Sequence, residues 1–314
     1  MRFSAFIKGV CMVLSIGEIL VDIFIDGDMR TTFAGGAPFN VACNIAKFNN
    51  GQVSFYGVVG NDEHGQYLKD FAKERVSHLY LDTLDDFKTT EAIVSLDNGE
   101  RSFRFNRGAD YHLNLNTIKN INFKDINIVH LGSLMLSHQE GRNFINEVVK
   151  SIRSSSGSKI SFDVNYRDDI FSSPEEAKNV FLDVIRQVDI IKFTEEELTL
   201  LSGQDDIKAG LEILLNPNQI AVVTLGKEGS VYYSKDTFIK VSSFPLKPVD
   251  TTGAGDAFYS YFLYRLDLGF DIKDVEDVLL HANVVGALTT QKKGAIDSAP
   301  GLEEVEKFIQ KSKQ

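Results

Sequence analysis

Two rhythms alternate along this chain. Short apolar runs rich in β-branched and aromatic residues are followed by longer segments whose apolar positions recur every three or four residues. INIVHLGSL (126–134) precedes HQEGRNFINEVVKSI (138–152), and KISFDV (159–164) precedes SPEEAKNVFLDVIRQV (173–188). VDIIKF (188–193) precedes EEELTLLSG (195–203), and IAVVTLG (220–226) is a further strand. QVSFYGVVG (52–60) with NDEHGQYLKDFAKERV (61–76) has the same form upstream. Strands alternating with amphipathic helices predict βαβ units, hence an α/β fold with a mostly parallel central sheet flanked by helices. SIRSSSGSK (151–159) reads as a serine-rich loop, and the chain after residue 254 as mostly helical.

Two stretches depart from this scheme. ILVDIFIDGDMRTTFAGG (19–36) and TEAIVSLDNGERSFRFNRGAD (90–110) read as antiparallel strands, the second with a hairpin turn at DNGE (97–100). They are too short to form a core of their own. They predict a small sheet packed over the larger one.

Composition narrows the function. Against 44 acidic residues stand 33 lysines and arginines, a formal charge of −11, which argues against a binder of nucleic-acid phosphates. The two cysteines, Cys11 and Cys43, have no metal-ligand spacing and imply no disulfide framework. That usage fits a reducing, cytoplasmic compartment. No run of about 20 apolar residues exists to span a membrane. Residues 1–11 are interrupted by Lys8 and lack a signal-peptide cleavage pattern. They read as an extra leader before Met12.

Ligands of an open parallel sheet sit beyond the carboxyl ends of its strands. Polar residues gather at four of these ends: Asp163, Asn165 and Arg167; Thr194 with Glu195, Glu196 and Glu197; Gly226, Lys227 and Gly229; and Asp250. Each alone is well explained as a helix cap or a turn. Four together point to a site.

The last of these ends runs into VDTTGAGDAFYSYFLY (249–264). Gly253, Ala254 and Gly255 carry almost no side chain, so their amides can face one point. A helix beginning near 256 would add its positive end, which makes an anion hole. Asp256 beside it can accept a proton, an arrangement suited to phosphoryl transfer onto a hydroxyl. From this stretch alone, a glycine turn with Asp256 as helix cap explains the pattern equally well. Other phosphate motifs fail: GAGDAF has Phe258 where a dinucleotide fingerprint needs glycine, and Gly226-Lys227 lacks the rest of a Walker loop. His130 and His138, eight apart, are better explained as core or surface histidines than as a metal pair.

DTTGAGDAF (250–258) resembles the C-terminal signature of the ribokinase-like sugar kinases, the PfkB group, and GGAPFNVACNIAKF (35–48) resembles their N-terminal signature. DVNYR (163–167), TEEE (194–197), VTLG (223–226) and KKGAIDSAP (292–300) fall in the family's order. The resemblance covers about residues 12–310, and the GGAPxNVA form is most similar to fructokinases. It implies one ribokinase-like domain over 12–314 with a small antiparallel lid from about 17–33 and 90–106. The implied activity is ATP-dependent phosphorylation of a sugar hydroxymethyl, giving fructose 6-phosphate.

The resemblance also assigns roles. Asp256 is the implied base, with Gly253, Ala254 and Gly255 as the anion hole. Asp22, Gly35, Gly36 and Asn40 line the sugar side, and Arg167 reaches the sugar or the transferred phosphate, unless it pairs with Asp168 or Asp169 instead. Glu197 is implied to arrange Mg²⁺ through water. Thr194 stands where the family commonly has Asn, which alters the fine geometry there. Thr224, Gly226 and Asn283 fall on the ATP side. Asp250, Thr252 and Ser298 fall where members bind a monovalent cation such as K⁺. Phe103 and Phe105 alternate on the lid, as cover for the sugar or as the lid's own core. A homodimer through the lid is a further expectation. The alternatives are a 2-keto-3-deoxygluconate kinase, for which Arg101, Arg104 and Arg107 would supply a carboxylate-binding cation, a ribose or nucleoside kinase, or a catalytically silent sugar-binding protein.

Overall fold

The computed structural model describes residues 12–26, 29–97 and 100–312. Thirteen strands and ten α-helices follow in these segments. The strands are β1 (Val13–Ile16), β2 (Leu20–Asp26), β3 (Met29–Gly35), β4 (Ser54–Gly60), β5 (His78–Leu84), β6 (Glu91–Asp97) and β7 (Glu100–Asn106). They continue as β8 (Ile128–Leu131), β9 (Lys159–Asp163), β10 (Ile190–Thr194), β11 (Ile220–Thr224), β12 (Ser230–Ser234) and β13 (Thr237–Val241). The first five helices are α1 (Ala37–Phe48), α2 (Glu63–Lys73), α3 (Leu115–Lys119), α4 (Gln139–Ser155) and α5 (Pro174–Ile185). The other five are α6 (Glu195–Ser202), α7 (Ile207–Leu214), α8 (Ala254–Leu268), α9 (Val275–Thr289) and α10 (Leu302–Ser312).

Nine strands form one sheet in the order β13-β12-β11-β10-β9-β8-β1-β4-β5. Pairing is parallel from β5 to β11, and β12 and β13 close the edge as an antiparallel hairpin. Period-two alternation sends side chains to two cores. Val13, Phe55, Ile190 and Val222 pack with helices α1, α8 and α9, while Leu14, Tyr56, Ile191 and Val223 pack with α4, α5 and α7. A sheet buried on both faces explains its nearly continuous apolar strands.

The expected small sheet is also present, with four strands in the order β3-β2-β6-β7. Each hairpin, β2–β3 and β6–β7, is antiparallel, and the two meet through a parallel pairing of β2 with β6. The sheet rises from the large sheet where Gly17–Ile19 separate β1 from β2.

Several details differ from the sequence reading. Residues 151–155 continue α4, whose apolar face runs to Ile152, so only 156–158 form the serine-rich loop. Helix α8 starts at Ala254, two residues earlier than expected, because Gly253 itself takes the cap position. Asp250, expected at a strand end, does not end one: the strand before it, β13, stops at Val241. Residues 1–11 with Cys11, expected to be a leader, and the tip of the DNGE turn at 98–99 lie outside the described residues, as do the side chains of Arg101 and Phe103. Cys43 is buried on α1 as a free thiol. Among the described residues no helix is long and apolar enough to cross a membrane.

Candidate active site

A cavity of about 1000 Å³ lies between the carboxyl ends of the large sheet and the small sheet. The mouth of α8 forms its centre. The backbone N–H groups of Val249 and Asp250 both donate to the Thr290 carbonyl, at 2.8 and 3.1 Å, which pins the incoming chain to the end of α9. Gly253 then adopts a left-handed conformation, φ +73°, and a Cβ there would overlap Ala295. Only glycine meets both conditions. The Ala254 amide turns back to Thr251 O at 3.3 Å, the Gly255 and Asp256 amides have no carbonyl one turn behind among the described residues, and Ala257 N–H is the first to donate back, to Gly253 O at 2.8 Å.

Asp256 sits in this first turn, and its Oδ2 accepts a 2.8 Å hydrogen bond from Asn40 Nδ2 on α1. It does not cap the helix; Gly253 occupies that position with no side-chain cap. Removal from water pushes the Asp256 carboxyl up to about 6, against the pull of the Asn40 hydrogen bond; Asp163 adds to the rise, and Lys192 and Arg167 oppose it. Asp22 on β2 faces the same cavity. Burial pushes it up to about 7, with the Asp256 charge as the next cause and Arg167 opposing. Its carboxylate lies directly over Gly35, where any Cβ would overlap it.

A buried ion pair braces the floor. Lys192 of β10 and Asp163 of β9 are register partners, and Nζ lies 2.9 Å from both carboxylate oxygens. Both side chains are 4% exposed. Burial alone would lower the Lys192 ammonium, but the Asp163 and Glu197 charges more than offset it and hold it raised. A Cβ on Gly255 would come within 3.5 Å of Lys192 Nζ, so this cation underlies the amides of α8.

Glu197 closes a capping box on α6. Its Oε2 accepts from Thr194 N–H at 2.8 Å, while Thr194 Oγ1 accepts from Glu197 N–H at 3.2 Å. Its Oε1 accepts from Tyr166 N–H at 2.8 Å. Burial raises its carboxyl, and Lys192 opposes that. Among the described residues no group of three or more acidic, histidine or cysteine side chains could cage a metal.

At the other end of the cavity, Thr224, Gly226 and Asn283 line a slot with Ser243 and Phe244. Asn283 is buried and fixed, its Nδ2 donating to Val241 O and Ser242 O at 3.1 and 3.4 Å. Beside the mouth of α8, Asp250 Oδ1 accepts from Thr252 N and Oγ1 at 3.1 and 2.7 Å, and Oδ2 accepts from Gly294 N at 3.1 Å. Ser298 Oγ donates to the Gly294 carbonyl.

This combination of helix mouth, acid and slot spans the two stretches that match one family. The pfkB family carbohydrate kinase model matches residues 12–302. The chain belongs to that family. Its members are phosphotransferases acting on a sugar hydroxyl. Fructokinase-1 of Zea mays is 34% identical over 321 residues, covering 96% of this chain and 98% of the relative. The structure of a fructokinase from Xylella fastidiosa with bound ATP has a TM-score of 0.88 at 29% identity, covering 96% of this chain and 99% of the other. A Vibrio cholerae O395 fructokinase in a form with fructose, ADP and calcium ion bound has a TM-score of 0.85 at 33% identity, covering 96% and 99%. The ribokinase-like fold follows from these likenesses.

Family membership rests on signatures; the geometry gives each expected residue its place. Asp22, Gly36, Asn40, Arg167, Thr224, Gly226, Asn283, Glu197, Thr252 and the 253–256 stretch all line the cavity. Gly35 stands one layer behind, under Asp22. Asp250 and Ser298 are buried beside the cavity, outside its lining. Arg167 donates to the Tyr166 carbonyl, and no ion pair joins it to Asp168 or Asp169 among the described residues. Phe105 lines the cavity, whereas Arg104 is exposed and outside it. Arg107 is held by Asp110, with Nε 3.0 Å from Oδ1.

Lys192 and its partner Asp163 set the charge around Asp256, and Glu18 is buried in the cavity wall, without having been assigned roles from the sequence. A signal for Lys192 existed: a lysine inside the apolar strand DIIKF must find an acid if the strand is buried. Glu18 offered none, because it sits at a strand end where an acid is ordinarily solvated.

Proposed function

We propose that this protein transfers the γ-phosphoryl group of ATP to the hydroxymethyl of fructose, giving fructose 6-phosphate. The observation that carries the reading is Asp256, oriented by Asn40 and set in the first turn of α8. In this reading Asp256 takes the proton of the sugar hydroxyl. The oxygen so freed forms the new bond to the γ-phosphorus, the bond from that phosphorus to the bridging oxygen breaks, and ADP leaves. The first-turn amides at 253–256, the positive end of α8 and the Lys192 ammonium hold the charge of the moving group.

The sugar end of the cavity supports a neutral substrate. Glu18, Asp22, Asn40 and Asp256 line it, with Arg167 as the neighbouring cation, and carboxylates of this kind accept vicinal hydroxyls. A 2-keto-3-deoxy acid would bring its own carboxylate into this group of buried acids, where burial and mutual repulsion already push Asp22 and Asp256 toward their neutral forms. Arg104 and Arg107 do not offset it, since one faces solvent and the other is committed to Asp110.

ATP fits the slot at Thr224, Gly226 and Asn283. Mg²⁺ bound with the triphosphate would neutralise its charge and keep most of its waters, consistent with a site that offers no protein cage among the described residues. Glu197 and Thr194 would hold it through water. The oxygens of Asp250, Thr252, Gly294 and Ser298 make a hard donor set of the kind K⁺ takes. We assign the small sheet as a lid that excludes water, with Phe105 on its inner face, over one domain spanning 12–314. A homodimer through that sheet and a cytoplasmic location complete the proposal. ADP release with Mg-ATP, measured against fructose, ribose, ketodeoxygluconate, tagatose and nucleosides, tests it. Fructose should give the highest kcat/KM, and turnover of none would restore a silent sugar-binding protein.

A further inference from the structure

Glu18 lies between β1 and β2, at the root of the small sheet. It is 2% exposed and forms part of the cavity wall. Its Oε2 has no hydrogen-bond partner among the described residues. The surrounding backbone is shaped to admit it. Oε2 lies 2.7 Å from where a Cβ on Gly132 would stand, so only glycine leaves room for the carboxyl there. Gly36, at the head of α1, packs as closely on the Glu18 carbonyl.

The neighbouring cation does not pair with it. Arg107 uses Nε on Asp110, Nη1 on Ser137 Oγ at 2.8 Å, and Nη2 on Asp110 and the Leu134 carbonyl. Asp110 in turn accepts from Thr90, whose Oγ1 accepts from Gly108 N–H at 2.9 Å. This closed network joins the roots of β6 and β7 without reaching Oε2. Buried polar atoms in folded proteins are nearly always paired, and a carboxyl in a ligand cavity's wall with an unpaired oxygen calls for a further partner.

We propose that Glu18 is a substrate-recognition residue of the sugar site, its carboxyl group hydrogen-bonding one hydroxyl of a neutral polyhydroxy substrate and so setting which sugars are accepted. This rests on the sugar-kinase reading above. Burial pushes the Glu18 carboxyl up to about 8, so near neutral pH it carries a proton and can donate as well as accept. A site built to hydrogen-bond a hydroxyl strongly rejects the analogue lacking it, because the protein's polar group is then left unpaired.

The test uses the full chain as wild type, Glu18→Gln and Glu18→Met, with Mg-ATP, the best accepted sugar and each of its monodeoxy analogues. Wild type should reject one analogue by about a hundredfold or more in kcat/KM. In Glu18→Met the parent sugar should fall to the level of that analogue, with the ratios for the other analogues and the KM for ATP unchanged. Glu18→Gln, which loses the O–H but keeps the shape, should reduce the same ratio about tenfold, and it decides the matter if the methionine variant does not fold. Wild-type ratios in both variants would overturn the role of Glu18 while leaving the kinase reading in place. A uniform loss across every sugar and ATP, with a lowered Tm, would also overturn it and mark a structural residue. Wild type that phosphorylates no sugar would overturn both.

Discussion

Asn40 on α1 holds Asp256 on α8 through a 2.8 Å hydrogen bond that closes 216 residues of sequence. It joins the two signature stretches of the chain at the point where, in the proposed reaction, the sugar's proton leaves. The bond favours the ionised form of Asp256, against burial, which favours the protonated one.

Replacing Asp256 with Asn removes the proposed base and keeps the shape. The variant should fold and bind sugar, with kcat reduced about a thousandfold or more. In wild type, the acid limb of kcat/KM should rise about tenfold per pH unit up to about pH 6, where Asp256 ionises. Near-normal turnover of the variant would remove Asp256 as the base.

Asn40→Leu tests the orienting bond. Without it the Asp256 carboxyl is protonated more readily, so the acid limb of the pH profile should move to higher pH. Above that limb kcat should still fall about tenfold, because the base is no longer aimed. A pH–rate profile of the variant that superimposes on wild type would show that the bond is incidental.

Lys192→Met should destabilise the protein by about 3–5 kcal/mol in a denaturant titration, since it strands Asp163 as a buried charge. Adding Asp163→Leu should restore most of that stability, as an apolar pair can replace a buried ion pair. Turnover should stay low in the double variant, because the cation beneath the α8 amides is gone. Full recovery of activity would make the pair purely structural.

Gly253→Ala places a Cβ into Ala295 at a positive φ. The expected cost is about 1–3 kcal/mol of stability with a larger loss of kcat than of sugar affinity, since the first-turn amides would be displaced. Calorimetry and steady-state kinetics on the same preparation separate the two effects.

The ligand-free protein should lose stability as pH rises from about 6.5 to 8. Glu18 and Asp22 are held at about 8 and 7, far above their unfolded values, so the folded state binds more protons in this window. Glu18→Gln should flatten the slope of Tm against pH. His130, pushed down to about 4 by burial, is neutral throughout this window and contributes below it.

Much of this architecture was legible in the chain. The period-two and 3.6-residue rhythms identified the alternating units from β8 to β11, because burial on both faces of a parallel sheet leaves a local mark on every strand. The glycines at 253 and 255 before an apolar helix marked a helix mouth for a comparable reason, since backbone amides are exposed only where side chains are small. Neither feature depends on a distant partner.

Pairing across the fold was not legible. KISFDV and DIIKF show an acid and a lysine in apolar strands, yet only the parallel register places Asp163 against Lys192. The parallel seam between β2 and β6 depends on how two hairpins dock, which strand periodicity does not encode. Glu18 reads as an ordinary acid at a strand end until Gly36 and Gly132 pack around it and Arg107 is seen to be engaged elsewhere. By itself the sequence determined the elements, their order and the helix mouth, because those follow from near-neighbour chemistry. Tertiary structure alone decided which carboxylates are buried, paired or unpartnered, because desolvation and charge depend on groups brought together from across the chain.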